Sequence, residues 1–127
     1  MRANPTIRNH LRQASRNQSL AQAWACDRHS WEWRQWAVTA AFYAAIHLAK
    51  ALALKSNEQK RPRESWHDFY SRVIRILAPP RASVSYERLR KAATRARYEL
   101  WMPPHRTVSK LVSQDLATVD LDVRRLC

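Results

Sequence analysis

The sequence predicts an all-α protein, an up-and-down bundle of four to five helices folded as one domain over residues 1–127. Three observations lead there. The chain contains no glycine, so the tight hairpin turns of a β-rich fold lack their usual residue. Its prolines and charged stretches separate five segments in which apolar residues recur every three or four positions, the period of an α-helix. Six tryptophans within a 46% hydrophobic composition supply the large buried areas that one core of this size requires.

The first predicted helix follows Pro5 and runs to about Ala25. Ile7, Leu11, Ala14, Ala21 and Trp24 mark its apolar side, and Arg8, Arg12 and Arg16 step along an adjacent one. The second starts near Ser30 as N-cap and continues to about Lys55. It carries two apolar stripes, Trp33–Trp36–Ala40–Tyr43–His47–Leu54 and Val38–Ala41–Ala45–Leu48–Leu52, so it is expected to be a central helix packed on most sides. A charged loop, residues 57–64, leads to Ser65 as cap of a short third helix that stops at Pro79-Pro80. The fourth is expected from about Val84 to Leu100, with Tyr86, Leu89, Ala93 and Ala96 facing the core. The fifth starts near Thr107 and offers Val108, Leu111, Val112, Leu116, Val119 and Val123. Short connections imply antiparallel neighbours.

Composition also narrows function. Without glycine, the phosphate-cradling loops of P-loop and dinucleotide-binding enzymes and the nucleophile elbow are excluded, because each needs backbone positions only glycine supplies. The 23 Lys and Arg against 10 Asp and Glu leave a formal charge of +13, far beyond what solubility needs, and point to a polyanionic partner. Cys26 and Cys127 make no disulfide framework, no leader pattern precedes them, and the apolar run Trp36–Ala49 is short for a membrane span. A cytoplasmic protein without membrane association is expected. Cys26 and His29 are half of a zinc set, but no second pair has suitable spacing, so no metal and no other cofactor is expected.

One stretch carries a resemblance. Phe42-Tyr43-Ala44-Ala45-Ile46-His47 on the long second helix, then Ser65-Trp66-His67 after a loop, then Tyr86, Leu89 and Arg95-Ala96-Arg97-Tyr98-Glu99 together resemble the HEPN domain family (higher eukaryotes and prokaryotes nucleotide-binding). The resemblance spans roughly residues 8–125 and rests on about ten positions. It implies a helical bundle and one of two roles. Many such proteins are metal-independent ribonucleases with an Arg-x4–6-His pair on the late helix, completed across a homodimer. Others lack that pair and serve as binding or partner subunits, often beside a nucleotidyltransferase, in prokaryotic toxin–antitoxin or defence assemblies.

The catalytic candidates here are Arg95, Arg97 and His105, but Arg97 and His105 are separated by seven residues and by Pro103-Pro104. A general base must reach the nucleophile and a cation the developing charge, which this spacing does not provide. The expectation is therefore a non-catalytic subunit. Tyr43 and His47, four residues apart on one helix face, read as core residues that mark the fold. Nucleic-acid contacts are expected from Arg8, Arg12, Arg16, Lys60, Arg61, Arg63, Arg72, Arg75, Arg88, Lys91 and Arg95, nearly all arginines, whose planar fork suits phosphates. RNA is expected ahead of DNA, within a homodimer or a larger complex. Trp31, Trp66 and Trp101 would stack on bases or form a protein interface.

Overall fold

The computed structural model describes residues 5–26 and 31–127. They form α1 (Pro5–Ala25), α2 (Trp31–Ser56), α3 (Trp66–Leu77), α4 (Pro80–Tyr98) and a last rod. That rod runs through α5 (His105–Lys110), a π-helical turn (Leu111–Asp115) and α6 (Leu116–Leu126). No strand occurs among the described residues, and the helices pack as an all-α bundle.

Helix boundaries follow local chemistry. Asn57 closes α2 in the left-handed region at φ 61°, where a glycine would normally stand. The Glu58 N–H then reaches the Ala53 carbonyl at 3.0 Å and the Asn57 N–H the Leu54 carbonyl at 3.4 Å, the paired bonds of a Schellman stop. Ser65 caps α3 as expected, its Oγ accepting the Asp68 N–H at 3.1 Å. α4 begins at Pro80 rather than near Val84, because proline at the first helical position has the right φ and no N–H to strand. It ends at Tyr98, since Leu100 takes φ 51°, a conformation that costs a leucine about 1–2 kcal/mol. The last rod starts at His105, two residues before the expected Thr107, directly after Pro104. Ser30, the expected cap of α2, lies outside the described residues.

α2 is central: it packs against α1, α3, α4 and the last rod. Of its two predicted stripes one lies wholly in the core, while the other contributes only Ala40. Val38, Ala41, Ala45, Leu48 and Leu52 are buried, whereas Trp33, Trp36, Tyr43 and Leu54 are exposed. The alanines explain the difference. Ala37, Ala41, Ala44 and Ala45 on α2 and Ala14 and Ala21 on α1 are all fully buried, so small side chains let neighbours approach closely on that side. Phe42 and Tyr86 meet edge to face at 5.8 Å between α2 and α4, and Leu89, Ala93, Val108, Leu116, Val119 and Val123 complete the core. The stretch Glu32–Ser56 is long and apolar enough to cross a membrane, but 78% of its most apolar window is buried inside the bundle, as befits a core helix.

Candidate nucleic-acid interface

The tertiary structure sorts the cations into two populations. The first is consumed internally. Arg72 is only 7% exposed. Its guanidinium donates to both carboxylate oxygens of Glu64 at 2.8 Å and to the Gln59 carbonyl at 3.0 Å, with Glu58 at 3.6 Å. The Arg72 hydrogen bonds hold the Glu64 carboxyl down to about 2. This arginine is the strut of loop 57–64, which corrects its expected place among the nucleic-acid contacts: three of its five N–H donors are held by Glu64 and Gln59, the remaining nitrogen faces Glu58, and burial keeps the guanidinium from a phosphate. Arg81 grips the buried carboxylate of Asp122 with two bonds at 2.6 and 2.8 Å. Arg90 reaches Asp68 and Ser71. Arg124 pairs with Asp120 and crosses to Ser15 and the Leu11 carbonyl of α1. Arg88 lies 3.3 Å from Asp115, with half its side chain still open to solvent. Arg95 sits 3.7 Å from Glu99 and 4.2 Å over the Trp101 ring.

The second population is free. Arg8, Arg12, Arg16, Arg61, Arg63, Arg75 and Lys91 are exposed, and their side chains carry no ion pair or hydrogen bond among the described residues. Arg8, Arg12 and Arg16 form a continuous row along α1, about 6 Å from one guanidinium-bearing turn to the next. Arg124 continues that row, because its contacts to Leu11 and Ser15 bring the end of α6 beside it. Lys60 is held differently: its ammonium donates to the Arg61 and Glu64 carbonyls and lies 5.4 Å over the Trp66 ring.

The catalytic candidates are not brought together. Arg97 donates to the Tyr43 hydroxyl at 3.1 Å and lies over the Tyr43 and Tyr98 rings. His105, by contrast, is bonded through Nε2 to the Ala25 carbonyl at 3.0 Å, at the end of α1. Tyr43 and His47 are not a pair either, and Tyr43 is not core. It is 40% exposed and turned toward α4, where its hydroxyl accepts from Arg97. Trp66 is 59% exposed, Trp101 is half-buried beneath Arg95, and the Trp31 side chain and His29 lie outside what is described. Among the described residues no three His, Cys, Asp or Glu side chains converge as a metal site would require.

His47 instead meets His10 of α1, Nδ1 to Nδ1 at 2.9 Å, with the rings 5.2 Å apart. One Nδ1–H donates to the other ring's lone pair, which requires at least one neutral imidazole. Partial burial, then the neighbouring Lys50, lower both rings' proton affinity. In His47 the effect reaches about 4, with His10 adding to it. A lowered folded value means that the unfolded chain takes up protons first, so stability falls as pH drops from about 6.5 toward 4. Between pH 7 and 5 the pair is expected to cost about 1 kcal/mol, roughly half of what the full shift implies because the rings are only half-buried. Denaturant titrations of the native chain and of the His10→Gln/His47→Gln variant at both pH values measure this; an equal loss in both would show that other groups carry the acid sensitivity.

Sequence reasoning missed what long-range packing assembles. Arg81–Asp122 and Arg124–Ser15 join positions 41 and 109 residues apart, with no local pattern to announce them. It also missed a cleft of about 650 Å³ among α1, α2, loop 57–64 and α3, lined by His10, Lys50, Lys60, Trp66 and Tyr70 among others. The only forewarning was the exposed position of Trp66 at a helix start. The fold and its cation surplus thus define a basic all-α bundle in which seven of the ten acids are paired with arginines of the fold. Searches against protein-family models, curated proteins and solved structures find no match to this chain.

Proposed function

We propose that this chain is a non-catalytic, HEPN-like helical subunit that holds single-stranded nucleic acid, RNA ahead of DNA, through phosphate contacts. One observation carries the reading. Glu58, Glu64, Asp68, Glu99, Asp115, Asp120 and Asp122 are each paired with an arginine of the fold, while Arg8, Arg12, Arg16, Arg61, Arg63, Arg75 and Lys91 stay open to solvent. A chain that pairs seven of its ten acids internally and leaves arginines in a row keeps a large unopposed field, which costs self-repulsion until a polyanion neutralises it. Arginine rows of this kind read the backbone and carry no base preference by themselves. The ranking of RNA over DNA, the cytoplasmic setting and a place in a prokaryotic ribonucleoprotein or defence assembly follow from the HEPN resemblance. The separate engagement of Arg97 and His105 supports a binding role over a ribonuclease one.

Fluorescence anisotropy of a labelled single-stranded RNA between 50 and 300 mM salt tests the reading. With about five phosphate contacts, the logarithm of affinity falls with the logarithm of salt at a slope of about −3.5, near −0.7 for each contact. Binding that is absent or indifferent to salt would refute the proposal. RNA cleavage that persists in chelator and disappears in His105→Ala would refute its non-catalytic part.

A further inference from the structure

We propose that the cleft among α1, α2, loop 57–64 and α3 receives one unpaired base of the bound strand, stacked against Trp66 and flanked by Lys50 and Lys60. This rests on the nucleic-acid reading above and adds a preference for single strands over duplexes.

The cleft's volume, about 650 Å³, is in the range that encloses a small planar ligand. Its wall is aromatic: Trp66 stacks on Tyr70 at 5.9 Å with 28° between the planes. A cation stands by each ring, Lys60 5.4 Å from the Trp66 centroid and Lys50 5.8 Å from that of Tyr70. A nucleotide presents the same pattern in complement, a π face with phosphates on either side. The acid that lines the cleft, Glu58, is turned to Arg72 at 3.6 Å, so the two lysines face no carboxylate of their own.

The site is also rigid where it needs to be. The Arg72 strut ties Glu58, Gln59 and Glu64 together, and Lys60 is pinned on the Arg61 and Glu64 carbonyls. Arg61 and Arg63 follow at once on the exposed rim, placed to take the next phosphates. His10, Asn57 and Gln59 supply polar edges within the cleft. A duplex keeps its bases stacked and offers none to such a concavity.

The cleft and the α1 row are separable by mutation. Thr6 and His10 line the cleft, and Arg8 and Arg12 each lie two residues further on, roughly 200° around the same helix.

Trp66→Ala is expected to weaken binding of a 12-nucleotide single-stranded RNA by about ten-fold, to leave a duplex of the same sequence within about two-fold, and to be rescued in large part by Trp66→Phe. An abasic strand of equal length should bind native chain and Trp66→Ala alike, since it has no base to stack. Circular dichroism and a melting curve verify that the variants fold. If Trp66→Ala weakens intact and abasic strands equally, or weakens neither, the cleft is not a base site, while salt-dependent binding of both would leave the phosphate reading intact. If no strand binds to the native chain, both proposals fall. Tighter binding of free adenosine 5′-monophosphate than of the strand would overturn the assignment to a strand nucleotide.

Discussion

Replacing Arg8, Arg12 and Arg16 together by glutamine is expected to weaken single-stranded RNA binding by about 50-fold at 0.15 M salt and to flatten the log–log salt slope by about 2. Both figures have one origin: three lost phosphate contacts, each releasing about 0.7 of a counterion from a single strand. The substitution leaves the bundle intact, because the three side chains are exposed and unpaired and glutamine is nearly as good a helix former as arginine. Anisotropy titrations between 50 and 300 mM salt read both quantities. A drop in affinity with an unchanged slope would mean that the row acts through something other than phosphates. No change in either would move the interface to the loop and α3 cations, Arg61, Arg63 and Arg75.

Leu48→Ala is expected to cost about 2–5 kcal/mol and to lower the melting temperature by roughly 10 °C or more. Leu48 has no exposed surface and belongs to the core cluster, so truncating it removes buried methyl groups and leaves a cavity. Leu54→Ala, six residues along the same helix, is expected to cost under about 1 kcal/mol, since Leu54 is exposed. Chemical denaturation of the two variants measures the contrast. Equal costs would show that Leu54 is buried as Leu48 is and would contradict the open arc of α2.

These two predictions mark where reading the sequence stopped. The helix period and the proline punctuation made the all-α bundle legible, and Ser65 announced its own cap. Hydrophobic pattern could not say which side of α2 would be covered. Trp36, Tyr43 and Leu54 sit in the same long apolar pattern as Leu48 and Leu52, yet they fall on the narrow arc of α2 that its neighbours leave open, while Ala37, Ala41, Ala44 and Ala45 let those neighbours approach closely elsewhere. Asn57 and Leu100 do a glycine's work at positive φ; asparagine is the usual substitute for glycine at such a helix end, whereas nothing in its residue type signals Leu100.

The candidate site was legible in part. The α1 row could be found because three arginines at four-residue spacing must share a face whatever else happens. Arg72 could not be told from Arg75, since burial under Glu58 and Glu64 depends on how loop 57–64 folds back over α3. Arg97 and His105 looked like neighbours out of register; each has its own partner, Tyr43 and the Ala25 carbonyl.

By itself, then, the sequence determined the helical class, the absence of glycine-dependent phosphate loops and a charge of +13, because these depend only on composition and local spacing. The tertiary structure decided which cations remain free, where the tyrosine and histidine of α2 point, and that Trp66, Tyr70, Lys50 and Lys60 share one cleft. Those outcomes depend on contacts between residues far apart in the chain, and no local pattern encodes which helix will lie across which.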